Sequence, residues 1–371
     1  TGIYSTHTFD VTEGDNTVPT TTATPTGNTF NSDQTVTLSC NDDSGVGCDK
    51  TYYTIDGTDP TTGSTQYTST PISIPSNTTT ILKYFSTDLT GNSESIKSQT
   101  YIVDTVAPNT TINTHPDSII NSDEASFTFS ANETSTFQCK MDSGAYSSCT
   151  SPKNYTSLAE GNHTFSVKAT DTAGNEDQTP SEYAWTIDIT PPAVAIIAPV
   201  AETGTNGNTT IVFTDDDLNN PLCSSDNSNW TACISSTAKI QDLTNWSSVA
   251  EGSFILYVKD TDAVNNTGTA NIALTKDTTA PTITITNPDT TSTQSKTITA
   301  SATESATKYY AINNSGIDTC DGTLSFTAYA SVTFTSESDN EKKICYKAQD
   351  AVGNISYSLS DAIAGIDTTA P

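Results

Sequence analysis

A five-residue phrase returns along this chain at a nearly constant interval. Internal repetition constrains a fold more tightly than composition does, because each copy must close a core of its own or stack on its neighbours. The phrase occurs as Asp15-Asn16-Thr17-Val18-Pro19, Asp104-Thr105-Val106-Ala107-Pro108, Asp188-Ile189-Thr190-Pro191-Pro192, Asp277-Thr278-Thr279-Ala280-Pro281 and Asp367-Thr368-Thr369-Ala370-Pro371. Successive aspartates are 89, 84, 89 and 90 residues apart. A second phrase, Asp-x-x-(Gly/Asn)-Asn, keeps step with it at Asp88 to Asn92, Asp171 to Asn175, Asp262 to Asn266 and Asp350 to Asn354. Two markers in one register divide the 371 residues into four units of the size of a small sandwich domain.

The apolar fraction is only 33%, below that of an ordinary globular domain. Patterning shows how such a chain still builds a core. In Ala125-Ser126-Phe127-Thr128-Phe129-Ser130-Ala131 apolar and hydroxyl side chains alternate, as they do around Phe165, Val167 and Ala169 and around Tyr183, Trp185 and Ile187. A half-buried strand needs every second side chain apolar, and Thr suits the outer face of a sheet. Within each unit the Asp-x-x-(Gly/Asn)-Asn phrase is expected to join the last two strands, its Asp bonding nearby backbone N–H groups and its Gly-Asn supplying left-handed conformations. Proline at each joint ends one ladder and stiffens the passage to the next.

With 14 Lys and Arg against 43 Asp and Glu, the net charge is −29. Such a surface repels phosphates, so neither nucleic acid nor anionic head groups are expected partners. No stretch approaches the 18 apolar residues of a membrane span, and Thr1-Gly2-Ile3-Tyr4 does not open a signal peptide.

Eight cysteines fall two to a unit: Cys40 and Cys48, Cys139 and Cys149, Cys223 and Cys233, Cys320 and Cys345. A hairpin centred on Gly144 would set Cys139 directly opposite Cys149, and Cys223, Asp226, Trp230 and Cys233 repeat the spacing of Cys139, Asp142, Tyr146 and Cys149. Two thiols per unit without nearby histidine are too few for a closed zinc site. Disulfides within each unit are therefore expected, and with them an oxidising, extracellular location at the cell surface.

Eleven Asn-x-Ser/Thr sequons stand at Asn77, Asn109, Asn132, Asn154, Asn162, Asn208, Asn229, Asn245, Asn265, Asn313 and Asn354. They are candidate N-glycosylation sites, although 28 Asn and 117 Ser or Thr in 371 residues give about nine by chance.

Two families are met along the chain. The stretch from Cys40 to Glu94, "CNDDSGVGCDKTYYTIDGTDPTTGSTQYTSTPISIPSNTTTILKYFSTDLTGNSE", resembles the C-terminal sandwich domain of chitobiase and β-hexosaminidase, which also stands in tandem in bacterial and archaeal surface proteins. The fourth unit, with Tyr309-Tyr310-Ala311-Ile312 for Tyr52-Tyr53-Thr54-Ile55, is similar to it in diverged form. Phe137 to Asp188 is similar to prokaryotic Ig-like domains, and the third unit follows it loosely. The resemblance implies an all-β chain of four tandem Ig-like antiparallel β-sandwich domains in an extended array. Its divisions are 1–18, the last strand of a preceding unit and a joint; 19–107, the chitobiase-type domain; and 108–190, 191–280 and 281–371, three further Ig-like domains. Residues Ser5 to Val11 are read as that strand of a preceding unit, so the sequence is expected to be an excerpt of a longer array, with donor-strand assembly as the alternative. Last strands are expected near 99–103, 182–187, 269–275 and 357–366.

No catalytic motif appears: there is no His-Glu-x-x-His, Gly-x-Ser-x-Gly or phosphate loop, and His7, His115 and His163 belong to different units. His163 is expected to face solvent at a strand edge. No resident metal or other cofactor is expected. The recurrence of Asp104, Asp188, Asp277 and Asp367 at joints and of Asp88, Asp171, Asp262 and Asp350 in turns leaves calcium between neighbours as the alternative to self-capping turns. Asp215-Asp216-Asp217 is a bare run and not an Asp-x-Asp-x-Asp-Gly loop. The expected function is that of an extracellular structural protein, a stalk, filament or surface-layer component, with neighbouring copies or further domains of the same assembly as partners. The rival is an adhesin or carbohydrate-binding module of a surface protein or secreted glycoside hydrolase, with Trp230 and Trp246 as exposed contacts for glycans.

Overall fold

In a computed structural model, residues 14–369 are described apart from 43–45, 217–218, 288 and 314–318, with only the backbone of Asn313. Ser5 to Val11 with His7, Asp217 and Pro371 lie outside the described residues. The chain divides after Ile189 into two compact units, and each holds two pairs of facing sheets.

Alternation produces the first pair. Its strands are β1 (Thr20–Thr24), β2 (Thr29–Phe30), β3 (Gln34–Asn41), β4 (Cys48–Thr54), β5 (Thr65–Gln66), β6 (Ile72–Ile74), β7 (Thr78–Asp88) and β8 (Lys97–Val103). A three-stranded sheet in the order β1-β3-β6 accompanies a five-stranded sheet in the order β2-β8-β7-β4-β5. In β3, Val36 and Leu38 are buried while Thr35 and Thr37 face water. They meet Leu82, Tyr84, Tyr101 and Val103 of the larger sheet in one core.

The chain changes sheets between β1 and β2. β1 runs antiparallel to β3, whereas β2 runs parallel to β8, with Thr29 beside Ile102 and Phe30 beside Val103. Gly27 lets the crossover lie flat on β8, since a Cβ there would stand 2.4 Å from the Thr100 carbonyl oxygen. Two bonds hold it down: Tyr101 Oη donates to Pro25 O at 2.6 Å, and Gly27 N donates to Gln99 Oε1 at 2.9 Å.

The second sandwich repeats this plan, its last strand Ser181–Ile187 taking a parallel partner in Ile119–Ile120. Its core is the most aromatic, with Phe127 stacked on Phe165 at 4.2 Å and tilted against Trp185 at 5.1 Å. In the third sandwich the smaller sheet keeps only Ala195–Ala198 and Val212–Thr214. Short 3-10 turns carrying Ile240, Leu243 and Trp246 cover the core there. The fourth closes on Ile298, Phe334, Ile344 and Tyr346. Its last strand is not the continuous one expected over 357–366: it ends at Leu359 and returns only as a parallel bridge between Ile366 and Thr293. The cause is local. Ser360 caps the ladder, its hydroxyl accepting from Ile344 N at 2.8 Å and donating to Asp361 O, and Ile363 and Ile366 turn into the core.

All eight cysteines are paired, as Cys40–Cys48, Cys139–Cys149, Cys223–Cys233 and Cys320–Cys345, with Cα separations of 6.3, 5.8, 5.7 and 5.3 Å. No thiolate is then left for zinc. One register differs from expectation. Cys139 faces Ser147 and Cys149 faces Phe137, so the bridge runs diagonally across the hairpin. The turn begins at Asp142, which adopts a positive φ of 53°, and the chain comes back two residues early, with Ser147 where Cys149 was expected. Cys223, facing Thr231, shows the same offset.

Closing a loop of 10 residues is worth about 2 to 3 kcal/mol in the loop-entropy model. Replacing Cys223 and Cys233 together by Ala is therefore expected to destabilise the third sandwich by that amount in denaturant titration. An unchanged midpoint would show the bridge to be without thermodynamic effect.

Candidate functional site

The recurring feature is the turn before each last strand, and one carboxylate builds it. Asp171 Oδ1 accepts from the backbone N–H groups of Ala173, Gly174 and Asn175 at 2.8, 2.7 and 2.9 Å. Asp350 repeats this with Val352, Gly353 and Asn354 at 3.0, 2.8 and 2.8 Å. In the first turn Asp88 Oδ1 accepts from Thr90 and Asn92, and in the third Asp262 Oδ1 accepts from Val264 and Asn266. The fourth position needs the left-handed region, and Gly91, Gly174, Asn265 and Gly353 have φ of 95, 95, 73 and 97°. The closing Asn does not share that conformation; its side chain is what the turn uses.

That side chain donates twice. Nδ2 of Asn92, Asn175 and Asn354 bonds Oδ2 of its own turn aspartate at 2.7, 2.8 and 2.8 Å. The same nitrogen reaches the main-chain carbonyl of the joint aspartate before the sandwich, Asp15, Asp104 and Asp277, at 2.8, 2.8 and 2.9 Å. The two sequence markers are thus the two halves of one contact.

The joint is held from the other side as well. Asp104, Asp188, Asp277 and Asp367 each donate N–H to the strand beside the last one, at Phe30, Ile120, Thr205 and Thr293, at 2.9, 2.9, 3.0 and 3.1 Å. Their neighbours Thr105, Thr278 and Thr368 donate N–H to Asn77 Oδ1, Glu251 Oε2 and Glu337 Oε1 at 2.9, 3.0 and 2.9 Å. Pro19, Pro108, Pro192 and Pro281 are buried.

Two residues beyond the closing Asn stands a group that pattern reading missed. Glu94 is buried and accepts from Thr21 N at 3.0 Å and Ser86 N at 2.9 Å, with Lys97 Nζ 3.1 Å away. Asp177 accepts from Thr110 N at 2.9 Å. Each ties the turn to the first strand of its own sandwich. Gly268 and Ser356 take the position in the other two units, and a Cβ at Gly268 would meet Pro192 O at 1.9 Å. The spacing from the turn aspartate was the available signal, diluted because only two of four units carry the acid.

Carboxylates gather where turn and joint meet. Asp15, Asp42 and Asp88 form one group, Asp104, Glu133 and Asp171 a second, and Asp277, Glu304 and Asp350 a third, with one oxygen of each residue within 4.8 Å of the others in its group. Burial pushes the turn carboxyls of Asp88, Asp171 and Asp262 up, but hydrogen bonds led by the Asn side chain outweigh it and hold them below the usual range. Glu133 goes the other way, raised first by burial and then by Asp104 and Asp171. Oxygen donors in this number suit a hard cation such as calcium, yet most lone pairs of the turn carboxylates already face N–H groups.

Three expectations change. His163 does not face solvent: it is 9% exposed, with Nδ1 2.9 Å from Asp142 Oδ2 and Nε2 2.8 Å from Ala159 O. Both partners are acceptors, which calls for the doubly protonated ring. Burial lowers its pKa, but the bonds to Ala159 and Asp142 raise it more. Trp246 is buried at 8% exposure, beneath Lys276 Nζ at 4.6 Å. Trp230 is half-buried under Lys259 Nζ at 4.0 Å. Among the sequons, Nδ2 of Asn354 is engaged in the joint clamp, and Nδ2 of Asn229 and of Asn245 is bonded to Asp226. Asn77, Asn109, Asn132, Asn154, Asn162, Asn208 and Asn265 are exposed.

Comparison with known proteins finds a family match for one stretch. Residues 25–98 match the chitobiase/beta-hexosaminidase C-terminal domain. The match lies inside the expected 19–107 and takes in the first disulfide and the first turn. No curated protein sequence matches the chain. Among solved structures the chain is similar to a Ca2+-stabilized adhesin that helps an Antarctic bacterium reach out and bind ice, at 16% identity and TM-score 0.38, over 89% of this chain and 93% of that one. It is also similar to a tetra-tandem repeat in the extending region of a large adhesion protein, at 14% identity and TM-score 0.34, over 95% and 100%. A third similarity is to the protocadherin gammaB7 EC3-6 cis-dimer structure, at 11% and 0.34, over 88% and 94%. The chain beyond the chitobiase-type sandwich is a run of further Ig-like β-sandwiches.

Replacing Asn175 by Ala removes a donor from Asp171 and frees the Asp104 carbonyl. The second sandwich is expected to lose about 1 to 3 kcal/mol, with NMR order parameters falling at 105–107; unchanged values there would dissociate the turn from the joint. Two pH limbs are expected in the melting temperature. The turn aspartates have folded pKa values below the ordinary 3.8, so their contribution is full above that value and is lost as pH falls below it. His163 has a folded pKa above the ordinary 6.5, so its contribution is full below that pH and is lost as pH rises through the raised value. His163→Gln should flatten the alkaline limb alone; a slope that persists would assign it elsewhere.

Proposed function

We propose that the chain is an extracellular structural protein, a component of a stalk, filament or surface layer built of disulfide-stapled Ig-like repeats, and that it is not an enzyme. The observation that carries this is the repeated bond from turn asparagine to joint carbonyl at Asp15, Asp104 and Asp277. A linker between independently moving domains needs no such contact, whereas a spacer that must hold direction does. The buried Trp246 and the lysine over Trp230 speak for a spacer and against an aromatic platform for glycans. Partners would be neighbouring copies or further domains of the same assembly. Glycans, where present, belong on the exposed sequons, and Asn354 is excluded because its amide nitrogen is engaged. Among the described residues no helix is long and apolar enough to cross a membrane.

Immunogold electron microscopy of producing cells is expected to label the cell exterior, on stalks, filaments or a surface layer; cytoplasmic label would overturn the proposal. Retention on a polysaccharide column would move the assignment to the adhesin or carbohydrate-binding alternative.

The self-capped turns require no resident metal, so EDTA or added calcium should leave the melting temperature unchanged. A calcium-dependent rise that Glu133→Gln abolishes would instead assign the ion to the gathered carboxylates.

A further inference from the structure

Each sandwich takes the chain in along its first strands and lets it out along its last, so tension carried by the backbone enters and leaves through these. Between them lies a parallel pairing. Opposite pulls on the N-terminal side of β2 and the C-terminal side of β8 slide one along the other. The bonds from Ile102 N to Asn28 O at 3.0 Å and from Asp104 N to Phe30 O at 2.9 Å are then loaded together and not in succession. Antiparallel neighbours at the same place would unzip bond by bond.

The arrangement recurs in every unit. Thr186 and Asp188 donate to Ser118 and Ile120, both at 2.9 Å, and Thr275 and Asp277 donate to Thr203 and Thr205 at 3.1 and 3.0 Å. In the fourth sandwich Thr293 exchanges bonds with Gly365 and Asp367 at 3.0 and 3.1 Å. The disulfides do not span it. Their sequence separations are 8, 10, 10 and 25 residues, and each ties inner strands or their connections, leaving the entering and leaving strands uncrosslinked.

We propose that these sandwiches are load-bearing modules in which the parallel pair beside the last strand resists the pull, and that the disulfides carry no load until that pair has parted. The proposal concerns tension along the chain and stands apart from where the protein resides, so its failure would leave the extracellular assignment untouched.

Single-molecule stretching of the full chain at constant force separates the alternatives. Four unfolding steps are expected. Reduction with dithiothreitol should leave their dwell times unchanged and lengthen each step by the freed loop at roughly 3.5 Å per residue, from ~28 Å for a separation of 8 to ~88 Å for 25. Dwell times that shorten on reduction would overturn the proposal. Ile102→Pro removes one bond of the pair at a side chain that is 41% exposed, and should shorten the dwell of one step about fivefold. Ile72→Val, a comparable thermodynamic loss in the core, should shorten it less; equal effects of the two would refute the role of the pair. Should Ile102→Pro leave the first sandwich unfolded, three steps would appear in place of four, and the reduction experiment on the unaltered chain still decides.

Discussion

A single carboxylate gathering two or three backbone N–H groups is the interaction from which the rest of this structure follows. A turn of five residues cannot satisfy its own amides through ladder bonds. An ionised acceptor inside it makes charge-assisted bonds stronger than neutral ones. With the turn closed, the last two strands are in register, and the Asn at its end is aimed at a fixed point outside the sandwich. That point is the carbonyl of the preceding joint. Folding a module and attaching it to its predecessor are therefore the same event at this corner.

The chain accepts an electrostatic cost for this arrangement. Placing the turn and joint acids together in a molecule of net charge −29 sets like charges within a few ångströms, and Glu133 is raised first by burial and then by the charges of Asp104 and Asp171. Hydrogen bonding outweighs burial at the turn aspartates, whereas at Glu133 no comparable set of donors offsets burial and the neighbouring charges. One group thus contains a carboxyl held down and a carboxyl pushed up, for reasons visible in their donors. The same economy governs the cores. With a third of the residues apolar, each sandwich closes over a single layer of side chains, and short covalent loops restrict the unfolded chain where a thicker core would otherwise supply stability.

Much of this was legible in the sequence because it depends on period. The strands around Val36 and Leu38 or Phe127 and Phe129 follow from alternation, and the joints follow from Asp and Pro recurring in step. What stayed hidden depends on the third dimension at single residues. A two-residue register shift at the Asp142 turn made a direct cysteine pairing a diagonal one, and no pattern in the letters around Gly144 distinguishes the two. His163 shares the parity of Phe165, Val167 and Ala169, so alternation placed it on the core face; what the letters did not show is that Asp142 and Ala159 would engage both ring nitrogens. Trp246 lies in a segment without strand periodicity, where burial follows from the core it covers. Glu94 and Asp177 hold one position, but two of four copies are too few to stand out from other acids on an acidic chain.

The four cores remain separate: the buried clusters around Leu82, Phe165, Leu256 and Ile344 each draw on one sandwich alone. Within each of the two compact units, neighbouring sandwiches are therefore joined chiefly by a few directional bonds, with Val352 over Gly204 as an added apolar contact. Each such bond nets about 1 kcal/mol, small beside the burial that folds a module and too little to make neighbours fold as one. Directional bonds differ from apolar contact in another respect, since they specify angle. An Asn amide that must satisfy its own aspartate and a carbonyl of the joint at 2.7 to 2.9 Å leaves the joint little freedom to swing. The repeat thus separates two tasks, stability within the module and orientation at the joint, and the two phrases that keep step along the sequence are what the second task requires.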